Sequence, residues 1–311
     1  MIYTVTLNPS IDLFVELDEL KPGYNNNIKT ERTLPGGKAI NVSRILSQLR
    51  IPSTATGFVG GYQGLFIKDW MEKENIEGNF IEIEASNRIN IKIFENKQET
   101  VINFEGPTIK KDEVEELLYY LSRVREGDTI IFGGSVPPME NNLDDDILYR
   151  MVEIAKANGA DFIADVPSQY LLNMVKKGPL LVKPNGEDIE EIFGVKIKDK
   201  IEYIPYGKEL IRLGAEYVII SYGAEGSMFF TKEGGVYAAT PIEDGKEIIN
   251  TVACRDAMIA GFLGTIVRNN DPIESYMVAV ASASATARVL DLASREEIHN
   301  ILPLVDIEVI E

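Results

Sequence analysis

The sequence predicts an α/β fold with a mostly parallel sheet, helices on both faces and an additional small β lid. From residue 55 onward, apolar runs of strand length alternate with amphipathic stretches of helix length, which is the order of parallel β-α units. Several predicted strands end in glycine-rich or polar segments, where open α/β sheets bind their ligands. Two separate pairs of short alternating stretches fit no such unit and predict the lid.

The size and charge of the chain exclude several classes of protein. Its 311 residues, 45% of them hydrophobic, suffice for one large domain, with or without an appendage. A formal net charge of −18 argues against nucleic acid or an anionic membrane as a partner. A phosphate ligand would therefore need a locally basic site, for which the candidates are Lys38, Arg88, Lys183, Arg255 and Arg288.

The cysteine and histidine content limits the expected cellular location and the kinds of site that the chain can form. Cys254 is the single cysteine, so an internal disulfide is impossible and a reducing, cytoplasmic location is expected. His299 is the single histidine, which disfavours a histidine triad or a multi-histidine metal site, and we expect it on the surface. No apolar run reaches the roughly 20 residues of a membrane span, and residues 1–7 lack the basic segment of a signal peptide.

The first element is a predicted buried strand over residues 2–7, which ends at the turn Asn8-Pro9-Ser10. Asp12 follows at the exit of this strand. Ligands bind beyond the carboxyl ends of strands in such sheets, so Asp12 is a candidate binding residue. An ordinary turn acid is the alternative for the same position.

The predicted lid is discontinuous in the sequence. Its first half alternates about a turn at Lys21-Pro22-Gly23, and its second half alternates about a turn at Glu95-Asn96-Lys97. We expect the two halves to form one small antiparallel sheet. The division places residues 11–34 and 89–104 in the lid, and residues 1–10, 35–88 and 105–311 in the α/β core.

A glycine pair precedes the first long predicted helix, in the segment Pro35-Gly36-Gly37-Lys38. Glycines allow the backbone to approach a ligand closely. Lys38 and Asn41 lie one turn apart at the start of the helix, so both can point at one ligand. The segment is not a Walker A loop, because Arg32 and Ala39 occupy the places of its first glycine and its final Ser or Thr.

The remaining elements alternate regularly. Strands are predicted over residues 55–59, 129–132, 162–165, 180–183 and 217–221. Helices are predicted over residues 65–75, 111–124, 143–158, 205–213, 254–269 and 272–290. Three of the strands run into polar or glycine-rich loops that should meet Asp12 at one edge of the sheet, namely Gly134-Ser135, Lys183-Pro184-Asn185 and Ser221-Tyr222-Gly223.

The start of the helix predicted at 254–269 carries the strongest candidate for chemistry. Asp256 lies in or just before its first turn, close to backbone N–H groups that attract anions. A phosphoryl-transfer enzyme could use this pair, with the carboxylate taking the proton of the acceptor and the N–H groups holding the moving phosphoryl group. The plain alternative is that Asp256 is a helix N-cap.

A run of small residues, 280–287, lies in the last long predicted helix. Small side chains let helices pack closely, and we favour this role for the run. The alternative is a flat wall against which an adenine ring could lie.

Five motifs follow one another along the chain. They are residues 4–12, Pro35-Gly36-Gly37-Lys38 with Asn41, Gly134-Ser135 with Pro137-Pro138, Lys183-Pro184-Asn185, and Asn250-Thr251-Val252 leading to Asp256. Together they resemble the ribokinase-like sugar kinases of the phosphofructokinase-B family, over essentially the whole chain. The resemblance is greatest to the branch that phosphorylates fructose 1-phosphate or tagatose 6-phosphate.

The resemblance implies an activity and its partners. The chain would use ATP and Mg²⁺ to phosphorylate a ketohexose phosphate to a bisphosphate. Fructose 1-phosphate, giving fructose 1,6-bisphosphate, is the favoured acceptor, and tagatose 6-phosphate or fructose 6-phosphate comes next. The family's β-clasp lid, which closes over the sugar and often forms a dimer, implies a homodimer formed through the lid.

The resemblance also assigns roles to residues. Asp256 would be the catalytic base, with an anion hole formed by Ala253, Cys254 and Arg255. The sugar phosphate would be held by Asp12, Gly36, Gly37 and Asn41 at its hydroxyls and by Lys38, Arg88, Asn103 and Ser135 at its resident phosphate. The nucleotide site would consist of Lys183, Asn185, Ser221, Gly223, Gly226 and Ser284, and the metal would lie near Asn185, Glu187 and Asp188.

The chain departs from the family at two motifs. The metal-associated Asn-x-x-Glu reads Asn185 to Asp188, one methylene shorter, and Glu187 could compensate by acting on Mg²⁺ through waters. The signature Gly-Ala-Gly-Asp reads Ala253-Cys254-Arg255-Asp256, so both glycines are lost.

The loss of the two glycines affects the backbone and the side chains at the start of this predicted helix. A positive φ at either position would add backbone strain. The bulky side chain of Arg255 would collide with the bound phosphates, turn away from them toward solvent, or point its guanidinium at them as a charged substitute. Cys254 beside a helix start could have a lowered pKa and be reactive, although a buried, inert thiol is the favoured interpretation.

Two hypotheses of different classes follow. The first is an active kinase, because Asp256 and the sugar-binding motifs are retained. The second is a catalytically weak regulatory protein that binds a sugar phosphate or a nucleotide, because the signature is altered. We favour the kinase, since a site that serves binding alone has little reason to keep the base.

Overall fold

The computed structural model describes residues 1–95, 98–240, 242 and 245–311. The turn predicted at Glu95-Asn96-Lys97 therefore lies partly outside the described residues. The strands of the described part are β1 (Ile2–Thr6), β2 (Ser10–Glu16), β3 (Thr30–Gly36), β4 (Ser53–Val59), β5 (Glu77–Gly78), β6 (Ile81–Glu82), β7 (Arg88–Glu95), β8 (Gln98–Ile102), β9 (Thr129–Gly133), β10 (Asp161–Asp165), β11 (Leu181–Val182), β12 (Tyr217–Ser221), β13 (Ser227–Thr231), β14 (Val236–Ala239) and β15 (Ile307–Val309).

The helices alternate with these strands. The α-helices are α1 (Lys38–Gln48), α2 (Gly61–Lys73), α3 (Lys111–Leu121), α4 (Ile147–Ala157), α5 (Ser168–Val175), α6 (Gly186–Phe193), α7 (Ile204–Leu213), α8 (Ala253–Asn269), α9 (Pro272–Thr286) and α10 (Arg295–Ile301). Short 3₁₀ helices cover Glu140–Asp145, Lys200–Tyr203, Gly223–Glu225 and Leu302–Leu304. Within the residues described, none of the helices combines the length and the apolar character needed to cross a membrane.

The large sheet has the strand order β15-β14-β13-β12-β11-β10-β9-β1-β4-β5, with β6 also paired to β4. Neighbouring strands from β12 to β4 are parallel. All seven residues of β4 are buried, as expected of parallel strands that helices cover on both faces. The prediction of a mostly parallel sheet with helices on both faces is therefore confirmed.

Successive side chains of a strand point to opposite faces of the large sheet and so join different hydrophobic clusters. On β9, Ile130 and Phe132 join the hydrophobic cluster on one face, whereas Ile131 between them joins the cluster on the other face. The second cluster also contains Phe262 of α8 and Tyr276 of α9, both fully buried. The helix α8, which was predicted over 254–269, is thereby fixed against the sheet, and this contact positions the residues at its start.

The small sheet, with the order β3-β2-β7-β8, is mixed and not antiparallel as expected. β2 pairs with β3 in antiparallel and with β7 in parallel, so that Asp12 lies opposite Asn90 and Phe14 opposite Lys92. The parallel pairing arises because β2 and β7 both leave the core at the same edge, with residues 37–87 of the core between them. Val15 on β2 contributes to a small apolar cluster on this sheet.

Several predicted elements differ from the structure at their ends or were missed. The helix predicted at 143–158 is split into a 3₁₀ turn and α4, the one predicted at 272–290 ends at Thr286, and the one predicted at 65–75 begins at Gly61. The antiparallel edge formed by β13, β14 and β15 was not predicted. The helices α5, α6 and α10 were missed as well, because seven or eight residues show too little of a helical period.

A buried arginine on α1 connects distant parts of the chain. Arg44 is 5% exposed. Its guanidinium binds the Glu74 carboxylate through contacts of 2.8–3.1 Å and the Asp291 carboxylate through contacts of 2.7 and 2.9 Å. Burial lowers the pKa of Arg44, but the two carboxylates outweigh it, so that the pKa is raised overall. This ion network holds α1, α2 and the segment after α9 together.

Candidate active site

The glycine pair brings the start of α1 into contact with β2. A methyl group on Gly36 would collide with the hydroxyl of Ser10 and the carboxylate of Asp12. Gly37 has a φ of +134°, a conformation that favours glycine. Because both positions lack a side chain, α1 begins directly at the site, and Lys38 stands on its first turn.

Asp12 is held in place by three polar neighbours. Its carboxylate accepts hydrogen bonds from Ser10 Oγ at 2.7 Å and from Asn90 Nδ2 at 3.0 Å. It also forms an ion pair with Lys92 Nζ at 3.0 Å, and this ammonium lies 4.6 Å from the centroid of the Phe14 ring. Asp12 is therefore a fixed acceptor next to a cation, which a simple turn acid would not be.

A first cavity of about 810 Å³ lies between the small sheet and the large sheet. Asp256 lines it from the start of α8. Of the residues predicted to bind the sugar phosphate, seven line this cavity: Asp12, Gly37, Lys38, Asn41, Arg88, Asn103 and Ser135. Gly36 does not line it, and acts by letting the backbone pass close to Asp12.

Asp256 is buried, with 2% of its surface exposed, and it is the fourth residue of α8. Its Oδ2 accepts a hydrogen bond from Asn41 Nδ2 at 2.8 Å. Burial, and then the charge of Asp165, raise the pKa of Asp256 to about 7, against the effects of Asn41, Lys38 and Lys183. A carboxylate with such a pKa is suited to accept a proton near neutral pH.

Two lysines approach Asp256 from different elements. Lys38 Nζ forms an ion pair with Asp165 Oδ2 at 2.9 Å, at the carboxyl end of β10. Burial opposes the charge of Lys38, but Asp165 outweighs it, so that the pKa of Lys38 is raised. Lys183 is 6% exposed, and burial lowers its pKa. The site thus contains cations although the chain is strongly acidic.

A second cavity, of about 260 Å³, lies on the other side of these lysines. All six residues predicted for the nucleotide site line it: Lys183, Asn185, Ser221, Gly223, Gly226 and Ser284. Ala283 of α9 and Ala287 just after it line the cavity too. Ser282, in contrast, is fully buried against α8, where a methyl group on Gly261 would meet its hydroxyl. The run of small residues therefore packs the two helices together on one face and lines a cavity on the other.

A middle chamber of about 220 Å³ adjoins both cavities. It shares lining residues with the first cavity, namely Lys38, Gly134 and Ser135, and with the second, namely Lys183, Asn185 and Arg255. The three spaces therefore adjoin one another, and the middle chamber is lined by three cationic side chains, those of Lys38, Lys183 and Arg255.

The start of α8 does not have Asp256 as its N-cap. The N-cap is Val252, so the interpretation of Asp256 as an N-cap is wrong. Neither Ala253 nor Arg255 is among the described residues with a positive φ, so the lost glycines leave no backbone strain. The N–H of Ala253 donates to Asn250 Oδ1 at 3.1 Å, and the N–H of Arg255 donates to the Val252 carbonyl at 3.2 Å. Two of the three predicted anion-hole amides are thus bonded within the chain.

A comparison with protein families identifies the family of this chain. The profile of the pfkB family carbohydrate kinases matches residues 5–297, nearly the whole chain. The chain belongs to the pfkB family of carbohydrate kinases. The resemblance that the sequence motifs indicated is thereby confirmed.

The similar proteins agree with this membership. This pfkB kinase is 38% identical over 307 residues to a 1-phosphofructokinase of Bacillus subtilis, covering 99% of each chain. It is 36% identical over 288 residues to a D-tagatose-1-phosphate kinase of Bacillus licheniformis, covering 92% of each chain. Its fold matches the crystal structure of phosphofructokinase-2 from Escherichia coli with a TM-score of 0.90 at 23% identity, over 97% of this chain and 98% of the other.

In this pfkB kinase the residues predicted for the metal are only partly brought together. Asn185 and Asp188 both line the middle chamber, whereas Glu187 is exposed and lines none of the three spaces. The N–H of Asn185 donates to Asp188 Oδ2 and the N–H of Asp188 donates to Asn185 Oδ1, both at 2.8 Å. No group of three or more acidic, histidine or cysteine side chains among the described residues is placed to hold a metal ion.

The thiol of the kinase does not have the lowered pKa that a helix start could have given it. Burial raises the pKa of Cys254, and the charges of Lys183 and Arg255 oppose this only in part. Cys254 Sγ lies 3.1 Å from the Thr251 carbonyl and is half-buried. The inert interpretation of this thiol is supported. His299 is exposed on α10, as expected.

Several residues at the site were missed by the sequence analysis. Lys92 and Asn90 reach Asp12 through the parallel pairing of β2 and β7, which the sequence did not reveal. Arg32 lines the first cavity and lies 4.9 Å from the centroid of the Phe14 ring. Asp165 ends a correctly predicted strand, and its position at the sheet's carboxyl edge was the available signal.

Proposed function

We propose that this kinase transfers the γ-phosphoryl group of ATP to a hydroxyl of a ketohexose phosphate and so forms a bisphosphate. One observation carries this proposal. Asp256, a buried carboxylate whose pKa is raised to about 7, lines the first cavity, and its charge acts on Lys38 and Lys183 in the adjoining middle chamber. Phosphoryl transfer needs a proton acceptor, positioned reactants and cations at the phosphates.

The first cavity would hold the sugar phosphate. Asp12, Asn41 and the backbone at Gly36 and Gly37 would bind hydroxyls, and Asp256 would take the proton of the reacting one. Arg88 and Asn103 line this cavity and not the middle chamber, so they suit a resident phosphate held away from the reacting hydroxyl. Lys38 and Ser135 line both spaces and reach either phosphate group.

The Arg88 guanidinium is already oriented for such a role. It donates to the Asn8 carbonyl at 3.1 and 3.2 Å and to the Phe104 carbonyl at 3.0 Å. Burial lowers its pKa, and the charge of Asp12 opposes that shift. A resident phosphate would supply the negative charge that this half-buried guanidinium lacks.

The second cavity would hold ATP. Its base would lie against Ala283, Ser284 and Ala287, and its phosphates would extend past Lys183 into the middle chamber. The family uses ATP as co-substrate, and the second cavity provides both the apolar wall and the cations that such a ligand requires.

The residues of the middle chamber fit a magnesium ion that the phosphates carry. Asn185 and Asp188 supply oxygen atoms, the ligands Mg²⁺ prefers, but each also bonds the backbone of the other. They would therefore act through waters, and Glu187 is too exposed to compensate for the shorter Asp188. When bound, Mg²⁺ supplies positive charge to the nucleotide phosphates.

Fructose 1-phosphate is the acceptor we favour, and a substrate panel tests it. The two Bacillus relatives are named for kinase activity on the 1-phosphates of fructose and tagatose, and over a third of the aligned residues are identical to this chain in each. We expect ADP release with Mg²⁺–ATP to be fastest on fructose 1-phosphate in a coupled assay. The panel should include tagatose 1-phosphate, tagatose 6-phosphate and fructose 6-phosphate. A higher kcat/KM for one of these would replace the acceptor, and turnover on none would contradict the proposed activity.

One observation favours a second function, the weak regulatory binder. The N–H groups of Ala253 and Arg255 are bonded within the chain and are not free to hold a phosphoryl group. If the panel gave no ADP while calorimetry still showed binding of a sugar phosphate, this second function would stand.

The small sheet would act as a lid and also as a dimer contact with a second copy of the chain. Its edge strand β8 is exposed along all five residues, and Ile102 and Phe104 are 45% and 50% exposed. Exposed strand edges invite pairing. Light scattering should give twice the mass of one chain, and the mass of a single chain would contradict the dimer.

A further inference from the structure

The side chain of Arg255 has no bonded partner among the described residues of the site. Arg255 is exposed and lines both the second cavity and the middle chamber. Within the described residues its guanidinium forms no hydrogen bond and no ion pair. Lys38 in the same chamber is already paired with Asp165. Arg255 therefore brings a positive charge that nothing in the protein neutralises.

We propose that the guanidinium of Arg255 is the group that stabilises the phosphoryl group during transfer, in place of the backbone amides at the start of α8. This inference rests on the proposed function and names a catalytic residue for it. Two of the three amides there are bonded to Asn250 and Val252. The charge would come from a side chain on the same turn.

The location of Arg255 fits this role. The chamber that it lines adjoins both the space that contains Asp256 and the space assigned to ATP. Its charge acts on both lysines at this point, since it opposes the upward shift in the pKa of Lys38 and adds to the downward shift in the pKa of Lys183. A γ-phosphate held in this chamber would lie beside the space that contains Asp256.

The chemistry balances without any further reactant. The acceptor oxygen forms a bond to the γ-phosphorus while the bond from that phosphorus to the bridging oxygen of ATP breaks. The acceptor's proton goes to Asp256, and ADP carries away the electrons of the broken bond. Negative charge spreads over the three equatorial oxygens in transit, and a planar guanidinium can bind two of them at once.

Substitutions at Arg255 test this assignment. We expect Arg255→Gln, which is neutral, to lower kcat by about 10²–10³-fold with a smaller change in the KM for ATP. Arg255→Lys should keep part of the activity, because it keeps the charge and loses the fork. Guanidinium ion added to Arg255→Ala should restore part of its kcat. The matched control is Arg268→Gln in the last turn of the same helix, where we expect no change.

The outcomes separate the two proposals. If the wild-type enzyme turns over and Arg255→Gln stays within about threefold of its kcat, the inference is wrong and the kinase function stands. A loss confined to the KM for ATP would also overturn it, since Arg255 would then bind the ground state only. If the wild-type enzyme releases no ADP on any sugar phosphate, the proposed function fails, and this inference fails with it.

Discussion

Replacing Asp256 by asparagine is expected to lower kcat by about 10²–10⁴-fold, the usual contribution of a general base. Asparagine has nearly the same shape and keeps an oxygen for the hydrogen bond from Asn41, which is 2.8 Å long in the wild type. It cannot accept the proton of the acceptor hydroxyl. The measurement is steady-state ADP release with the best sugar phosphate, and a variant within about threefold of wild type would show that Asp256 is not the base.

The pH dependence gives an independent check on the same residue. The base must be ionised to act, and the pKa of Asp256 is raised to about 7. The kcat/KM of the wild type should therefore fall about tenfold per pH unit below that value and level off above it. The residual activity of Asp256→Asn should lack this inflection.

The stability of this variant distinguishes lost chemistry from misfolding. The folded protein holds a proton on Asp256 between the ordinary pKa of 3.8 and about 7, where the unfolded chain has released it. The contribution of this residue to stability therefore falls as the pH rises through that range. Asparagine removes this cost, so we expect Asp256→Asn to have a higher Tm than the wild type at pH 8. A lower Tm would point to a folding defect.

Replacing Arg44 by methionine is expected to destabilise the fold by about 3 kcal/mol, the lower end of the range for breaking a buried ion pair. The substitution leaves the carboxylates of Glu74 and Asp291 without their partner, and these are 22% and 32% exposed. Urea unfolding followed by circular dichroism measures the change. Activity should fall too, because the Asp291 carbonyl accepts a hydrogen bond from Asn250, whose Oδ1 accepts one from the N–H of Ala253 at the start of α8.

The control for Arg44 is an arginine in a similar pair on the surface. Arg150 binds both oxygens of Glu115 at 2.9 Å, and their side chains are 32% and 46% exposed. Surface pairs contribute about 0–1 kcal/mol. Arg150→Met should therefore cost much less than Arg44→Met, and an equal cost would show that the buried network does not stabilise the fold.

The elements that the sequence predicted well are those with a strong internal pattern. The alternation of apolar strands and amphipathic helices identified β4, β9, β12 and α8, because burial on both faces of a sheet requires it. The edge strands β13 and β14 are joined by a short turn and not by a crossover helix. The β-α pattern therefore does not predict them. Their pairing depends on the preceding sheet, which sequence periodicity does not show.

The candidate site was predictable where a residue's position along its own element placed it. Asp12 and Asp256 lie at the ends of predicted elements, and the structure brings both to one cavity. Lys92 could not be found in this way, because it acts through Asp12, which the parallel pairing of β2 with β7 brings near. The ion pair of Lys38 with Asp165 joins residues that only the strand order brings together.

The connections between the small sheet and the core have a consequence for how ATP is used. The chain passes between the two sheets at Gly36 and Gly37, at Arg88, and at Asn103, and Asp12 follows the remaining crossing closely. Every hinge about which the small sheet could swing thus carries a proposed ligand of the sugar phosphate. If the small sheet opens about these points, the proposed ligands of the sugar phosphate move apart. We therefore expect ATP to be hydrolysed slowly while no acceptor is bound.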